Sequence, residues 1–383
     1  MTAEAWSTHQ LGDIFTLGSG ETKPEDTQPF PDDEKSVPVF GGNGISGFTK
    51  MSLISEPTIV IGRVGENCGC VHSVVPPAWI TDNALYIRQW KGKHSVEFFA
   101  QLLDYLNLSK LRNKGGQPLV SQKPICGQQV TLPSYEGQVP IASILSTWDR
   151  GIRQLSDMVA AKIRFKQGQM QKQFAGNLRF PEFNDRWHSV RLSDVTEECS
   201  ERNRGRMGLE SVMAVTKADG IVPMRERTIG ASIDRYLVVQ KNCFAYNPMR
   251  INIGSIARWQ GDKDILVSPD YVVFRCKEES KNFPGLDSDF LDHFRRSKLW
   301  EKFVMATGNG SVRIRIYYSE LSRLKLNLPS LAEQTKIAKL LNAMDREIEL
   351  LRKQLDLLKL QKKGLMQKLL TGQVRVKLPK GAK

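Results

Sequence analysis

The C-terminal part of the chain carries the most regular hydrophobic pattern. Between Ile337 and Leu369, apolar side chains recur every seven residues in two series that lie four residues apart. This is the a/d pattern of a helix that packs along its length on another helix, and Lys362 is its single polar interruption. One series is Ile337, Met344, Leu351, Leu358 and Leu365, and the other is Leu341, Ile348, Leu355, Lys362 and Leu369.

The ends of this helix are also marked in the sequence. Ser330 and Glu333 form a capping box directly after Pro329, and Gly372 follows the last apolar position as a helix stop. We therefore predict one helix of about 40 residues, which at its usual rise per residue is roughly 60 Å long.

A second copy of this pattern lies earlier in the chain. At a constant offset of 196, residues 132–180 align with residues 328–376 without a gap, and 18 of the 49 aligned pairs are identical. The first copy keeps the apolar seam from Ile141 to Val159 and then becomes polar at the seam positions. Those polar residues are Lys162, Lys166, Gln169 and Gln173. We expect its helix to continue on a shifted apolar stripe of Ile163, Phe165, Met170 and Phe174.

A lone amphipathic helix of this length cannot bury its seam. The economical solution is that the two copies pack on each other, and the alternative is that each helix docks separately on its own globular segment. The residues expected to form the helix–helix contact are Ile141, Leu145, Trp148, Ile152, Leu155, Ile337, Leu341, Met344, Ile348, Leu351, Leu355 and Leu358.

The segments before the two copies share a plan. Each begins with a Trp-x4-Leu-x-Asp sequence, at Trp6 and Trp187, and continues with short β-branched and aromatic runs separated by turns. Each then has a helical stretch, "SVEFFAQLLDYLNLSKL" or "LDHFRRSKLWEKFVMA". The Trp offset is 181, so the second segment is longer by 196 − 181 = 15 residues. The pattern predicts two mixed α/β (α+β) globules in tandem, an internal repeat with pseudo-twofold character.

The repeat also suggests domain boundaries. We expect a first globular domain at 1–131, a central helical region at 132–184, a second globular domain at 185–327, a C-terminal helical region at 328–376 and a basic tail at 377–383.

The charge balance favours a polyanionic partner. Lysine and arginine number 55 against 41 aspartates and glutamates, giving a net charge of +14, although solubility alone can also explain such an excess. The six cysteines are dispersed, which favours reduced thiols over a disulfide framework or a metal site. We find neither an apolar run of the roughly 18 residues that span a membrane nor a signal peptide, and therefore expect a cytoplasmic protein.

Motifs for catalysis are missing from the sequence. There is no phosphate-binding loop for ATP, and the five histidines are scattered. "FGGNG" at residues 40–44 faintly resembles the glycine loop of S-adenosylmethionine methyltransferases but lacks the acidic ribose partner. "YNPM" at residues 246–249 matches the methyltransferase Asn-Pro-Pro-aromatic sequence at two positions only. We therefore expect no catalytic residues, no metal and no cofactor in this chain.

What remains is binding chemistry in polar loops. Arginine can pair with guanine through two hydrogen bonds and asparagine with adenine, while lysine binds phosphates. Each such loop, taken alone, is also compatible with an ordinary surface loop. The candidate DNA-binding residues are Asn43, Arg63, Lys114 and Gln117 in the first half, and Arg202, Arg204, Arg206, Arg225, Arg227, Asn247, Arg250, Asn252, Arg313 and Arg315 in the second.

These features together resemble the specificity subunit of type I restriction-modification systems over essentially the whole chain. The most specific stretches are "LPSLAEQTKIAKLLNAMDREIELL" with its first copy, the two Trp-x4-Leu-x-Asp starts, "FGGNG", "NPMRINIGSIA" and "LVSPDYVVFR". The resemblance implies two target-recognition domains, each of which reads one half of an asymmetric bipartite site in double-stranded DNA. It also implies that the two helices pack as an antiparallel coiled coil and fix the distance between half-sites.

The resemblance further implies partners that supply the chemistry. Two methyltransferase subunits would bring S-adenosylmethionine and methylate adenine, and a restriction and translocase subunit would bring ATP and Mg²⁺. About 60 Å of helix corresponds to one to two duplex turns between half-site centres. The alternatives are the same architecture in a methylation-only or phage-exclusion system, a self-contained DNA methyltransferase, and an RNA-binding coiled-coil scaffold.

Overall fold

The computed structural model describes residues 6–281, 284–307 and 315–376. The chain divides into two compact units, one formed by Met1–Asp157 with Arg352–Lys383 and the other by Met158–Leu351. Each unit therefore contains one of the two globular segments together with part of both helical copies.

The first globular segment is rich in short strands. Its elements are β1 (Ser7–Gln10), α1 (Leu11–Ile14), β2 (Phe15–Ser19), β3 (Val37–Gly41), β4 (Gly44–Thr49), β5 (Thr58–Gly62), β6 (Val71–Val74), β7 (Trp79–Ile80), β8 (Ala84–Trp90), α2 (Val96–Leu106), a 3-10 helix (Leu108–Leu111), α3 (Gln122–Cys126) and β9 (Gln129–Leu132). The long helix α4 (Tyr135–Phe174) follows.

Two sheets make the first core. One is antiparallel with strand order β2-β8-β5-β6. Strand β5 is buried at every position because both faces are covered, with Ile59 and Ile61 in one apolar cluster and Val60 in another. The other has the order β4-β3-β7, in which β3 and β7 run parallel. Helix α2 covers the larger sheet with an apolar face that includes Phe98, Phe99 and Leu102. Strands β1 and β9 pair and bring the start of the segment to the beginning of α4.

The second globular segment follows a related order. Its elements are β10 (His188–Arg191), α5 (Leu192–Val195), β11 (Thr196–Glu198), β12 (Met213–Thr216), β13 (Gly220–Pro223), β14 (Leu237–Val239), β15 (Phe244–Tyr246), β16 (Ile256–Arg258), β17 (Ile265–Val267), β18 (Val272–Cys276), α6 (Ser288–Phe294), α7 (Lys298–Thr307), α8 (Tyr318–Leu321) and β19 (Lys325–Leu328), with 3-10 helices at Leu209–Ser211, Glu226–Thr228 and Ile251–Ile253. The long helix α9 (Leu331–Leu370) follows.

The second core repeats the plan of the first. An antiparallel sheet has the order β11-β18-β15-β16, and β10 pairs with β19 as β1 pairs with β9. The pairs β12–β13 and β14–β17 form two further antiparallel ribbons. The predicted mixed α/β segments in tandem are therefore confirmed.

The same glutamine joins each globular segment to its own long helix. Gln138 and Gln334, which are equivalent in the repeat, are both buried. Their side-chain oxygens accept hydrogen bonds from the backbone N–H of Ser95 (3.0 Å) and Asp287 (2.9 Å), the N-cap residues of α2 and α6. Because a buried polar group must be paired, this junction fixes how each segment sits on the first turns of its helix.

The two long helices pack on each other in antiparallel directions. Within the second unit, Lys162 pairs with Glu347 at 2.7 Å and Lys166 with Asp345 at 2.5 Å. As the number rises along α4 it falls along α9, which is possible only for opposed directions. The prediction that the copies pack on each other is confirmed, and separate docking is excluded.

All twelve residues that were predicted for the seam are buried or half-buried. Those that are buried are Ile141, Leu145, Ile337, Leu341, Ile348 and Leu355. Those that are half-buried are Trp148, Ile152, Leu155, Met344, Leu351 and Leu358.

The first helix continues past Val159 to Phe174 as predicted, but its expected shifted apolar stripe is only partly confirmed. Lys166 and Gln173 remain on the seam with only 8% and 2% of their surface exposed, whereas Phe165 is 56% exposed. The seam tolerates Lys166 because a carboxylate on α9 pairs with it. Met170 and Phe174 are buried, but in the core of the second globular segment, where Phe174 stacks edge-on against Phe290.

The ends of α9 agree with the sequence in part. Gly372 has φ +73° and follows the last helical residue, Leu370, as predicted. Ser330 caps the other end by accepting from the backbone N–H of Glu333 at 3.4 Å. The capping box is half formed, because the Glu333 carboxylate accepts two hydrogen bonds from Arg179 instead, at 2.9 and 2.7 Å. In the described part of the chain, no helix is both long and apolar enough to cross a membrane.

Candidate nucleic-acid interface

The turn between β3 and β4 presents Asn43 to solvent. Glycine is required beside it, because a Cβ on Gly42 would lie 2.9 Å from the carbonyl oxygen of Asn83. The Asn43 side-chain oxygen accepts a hydrogen bond of 2.8 Å from the amide of Asn67. A cavity of about 420 Å³, lined by polar residues that include Lys23 and Asn83, opens at this turn.

Arg63 lies close to the loop that holds Lys114 and Gln117. The backbone N–H of Val120 donates to the carbonyl of Arg63 at 2.9 Å, which brings the two chain segments side by side. Asn113 closes the loop by accepting from the backbone of Leu119 at 2.8 Å, and Lys114 and Gln117 are exposed near its tip. The first-half candidates thus form two groups, Asn43 on the β3–β4 turn and Arg63 with the loop before α3 that holds Lys114 and Gln117.

In the second segment, one buried asparagine shapes the arginine-rich loop. Asn203 is fully buried and exchanges two hydrogen bonds with the backbone of Met207, at 2.8 and 3.0 Å. This holds Arg202, Arg204 and Arg206 on an exposed turn. Arg206 pairs with Glu201 at 2.7 Å, and the guanidinium of Arg202 donates to the carbonyl of Arg235 at 2.8 Å.

A second tight turn gathers three of the other candidates. Asn247 accepts from the backbone N–H of Met249 at 2.9 Å, which shapes the turn leading to the exposed Arg250 and the half-buried Asn252. The backbone N–H of Ile316 donates to the carbonyl of Pro248 at 3.1 Å, which places the exposed Arg315 beside this turn.

The remaining second-half candidates lie elsewhere. Arg225 and Arg227 are exposed at the 3-10 helix Glu226–Thr228. Arg313 lies outside the described residues.

A cavity of about 760 Å³ in the second segment contains residues that the sequence interpretation missed. Lys217, Arg258 and Trp259 line it together with the predicted Asn252. The Arg258 guanidinium pairs with Asp289 at 2.5 Å and is 6% exposed, so its charge stabilises the segment rather than a ligand. Arg258 ends the apolar strand β16 and Trp259 follows it, so neither stands out in the sequence as a cavity residue. Lys217 could have been found, because it lies just before an Asp-Gly pair that marks the tip of a hairpin.

The family of the chain follows from the match to its family model. The model described as type I restriction modification DNA specificity domain matches residues 3–160 and again residues 184–360, once on each half of the repeat. The chain belongs to this family. It is therefore a DNA-sequence specificity subunit of the type I kind, a recognition component rather than a catalytic one.

Relatives by sequence carry the same description. The type I restriction enzyme MjaVIII specificity subunit of Methanocaldococcus jannaschii is 26% identical over 403 residues, covering 98% of this chain and 94% of that protein. The type I restriction enzyme EcoprrI specificity subunit of Escherichia coli is 26% identical over 153 residues, covering 40% of this chain and 38% of that protein.

Solved structures show the same fold at low identity. The S subunit of a type I restriction-modification system from M. genitalium superimposes with a TM-score of 0.62 at 14% identity, covering 97% of both chains. A chain from a study of complex assembly and conformational transition of the type I R-M system has a TM-score of 0.57, also at 14% identity, covering 98% of this chain and 100% of that chain. The resemblance inferred from the sequence is confirmed, together with the fold class.

Proposed function

We propose that the two globular segments of this specificity subunit each read one half of an asymmetric bipartite site in double-stranded DNA. The observation that supports this proposal is that the two units share the same framework of strands and helices, here called the frame, while their exposed loops differ. The frame is the same in both units, with paired end strands and a buried glutamine at the start of each long helix. The exposed loops differ, since one unit offers Asn43 and the other an arginine-rich turn. Two units with the same frame but different exposed loops, here called the readers, are suited to bind two half-sites of different sequence.

The long helices are proposed to set the distance between the half-sites. Each has 40 residues, or roughly 60 Å of helix. That length corresponds to one to two turns of duplex between half-site centres. A seam of buried leucines and isoleucines gives the helix pair the stiffness that a measuring element needs.

The partners are proposed to be two methyltransferase subunits, which supply S-adenosylmethionine and methylate adenine, and a restriction and translocase subunit that uses ATP and Mg²⁺. Exposed leucines on α9 offer the methyltransferase subunits a contact surface. Leu357 and Leu360 are 54% and 65% exposed on a helix whose opposite face is already packed. We place this complex in the cytoplasm.

The experiment is methylome sequencing of cells with and without this chain. We expect the loss of one bipartite, adenine-methylated motif when the chain is deleted, and its return when the chain is restored. An unchanged set of methylated motifs would contradict the proposed function.

A further inference from the structure

The two lysines that interrupt the helical seam occupy the same place in the repeat. Lys166 and Lys362 differ by the offset of 196, as do Asp149 and Asp345, and both pairs are among the identical residues of the repeat. Lys166 contacts Asp345 at 2.5 Å in the second unit, and Lys362 contacts Asp149 at 2.6 Å in the first. Each helix thus gives a lysine to the other helix and receives one at its aspartate.

These lysines are buried in a seam that otherwise favours leucine. The side chains of Lys166 and Lys362 are 10% and 13% exposed, while their aspartates are 42% and 35% exposed. Burial lowers the pKa of Lys166, and the hydrogen bond to Asp345 opposes that shift. Since a leucine at such a position would avoid the desolvation cost, stability alone does not explain a lysine there twice.

The pairs discriminate between alignments of the two helices. If one helix slid along the other, a slip of one whole heptad would disturb the apolar contacts least, because it replaces each seam residue by another seam residue. In that case Lys166 would face Ala338 or Arg352, and Lys362 would face Ala142 or Ser156. Neither lysine directly faces a carboxylate in a shifted alignment, so only the observed alignment sets a carboxylate opposite both buried charges.

Each aspartate also contacts the globular segment of its own unit. Asp149 accepts a hydrogen bond of 2.6 Å from Gln101 on α2. Asp345 lies 3.9 Å from both His293 and Arg296 at the end of α6. Gln101 and His293 stand at equivalent places, six residues after the N-cap residues of their helices. The aspartates therefore connect α4, α9 and the globular segment at one point in each unit.

We propose that the pairs Lys166–Asp345 and Lys362–Asp149 help to fix the register of the two long helices and thereby the number of base pairs between the half-sites. They act together with the helix ends that are buried in the globular cores, Phe174 in one unit and Leu369 in the other. The proposal rests on the proposed function. The four residues are positioning residues that act through the helices. A slip of one heptad moves one helix along the other by about 10 Å, which equals roughly three base pairs of duplex.

The test replaces both lysines in the full chain within its methyltransferase complex. In Lys166→Leu/Lys362→Leu, each aspartate keeps its contact with the globular segment, so we expect a thermal unfolding midpoint equal to or above that of the unaltered protein. Methylome sequencing should then show a second motif with the same half-sites and a gap changed by about three base pairs. The matched control is Lys172→Leu/Lys368→Leu, an equivalent pair of exposed lysines in the repeat, which should keep one gap.

Several outcomes would overturn the proposal. One is a single unchanged gap in the Lys166→Leu/Lys362→Leu variant, and another is a lower unfolding midpoint or loss of all methylation, since either would assign the lysines to stability. A changed gap in the Lys172→Leu/Lys368→Leu control would also contradict it, because those exposed lysines make no contact in the seam. If the unaltered chain directs no bipartite motif, the proposed function itself fails.

Discussion

At the scale of single residues, the molecule depends on buried polar side chains with specific partners. Gln138 and Gln334 are visible in the sequence as an identical pair, but their partners are not. Those partners, Ser95 and Asp287, lie 43 and 47 residues upstream, inside segments that share little sequence. Polar burial of this kind can be recognised only once the tertiary contact is known, because composition and periodicity carry no signal for it.

His293 gives a prediction for the dependence of stability on pH. Burial lowers its pKa below the ordinary 6.5, and the neighbouring Lys166 and Arg296 lower it further, against a hydrogen bond to Asn342. As pH falls below about 6.5, the unfolded chain binds a proton that the folded chain refuses, so the free energy of unfolding decreases. Replacing His293 by glutamine, the residue at the equivalent Gln101, should remove this contribution.

The measurement is urea unfolding of the full chain at pH 7.5 and at pH 5.5. We expect His293→Gln to reduce the stability loss between these two values by at most about 1.4 kcal/mol, because pH 5.5 lies only one unit below the ordinary histidine pKa. The exposed His188→Gln variant in the same unit is the control and should behave as the unaltered protein does. An equal loss of stability in His293→Gln would show that this histidine is not the acid-sensitive group.

At the scale of elements, the periodicity predicted the long helices well and the short ones less well. Helix α9 ends two residues before Gly372, as its stop signal requires. The two late helical stretches are each broken in the structure. Helix α2 stops at Asn107, which has φ +54°, before a 3-10 turn. The second stretch divides into α6 and α7, because Ser297 caps a new helix by accepting from Trp300 at 3.3 Å.

The seam of α9 gives a prediction for mutational stability. Leu341 is fully buried in the core that α4, α9 and the second globular segment share, whereas Leu350, nine residues further along the same helix, is 66% exposed. Leu341→Ala should lower the free energy of unfolding by about 2–5 kcal/mol, since it leaves a cavity in a packed seam. Leu350→Ala should change it by less than about 0.5 kcal/mol. Equal effects in urea unfolding would show that the seam does not carry the stability of the helix pair.

At the scale of the whole molecule, the chain is one frame used twice. The repeat could be predicted from the sequence because both copies must bury the same seam and make the same junction. The residues that read bases could not be predicted, because loop conformations depend on local anchors. Asn203, for example, shapes the arginine-rich turn from a buried position. The Asn67 amide beside Asn43 is a further contact between loops that are distant in sequence.

Whether the two globular segments read DNA independently is tested by exchanging one of them and keeping both long helices. Residues 187–327 are replaced by the corresponding segment of a related specificity subunit, and the methylated motifs are determined by methylome sequencing. We predict that one half-site changes while the other half-site and the gap are retained. A change in both half-sites, or in the gap, would contradict the claim that two independent readers are held by a common helical frame.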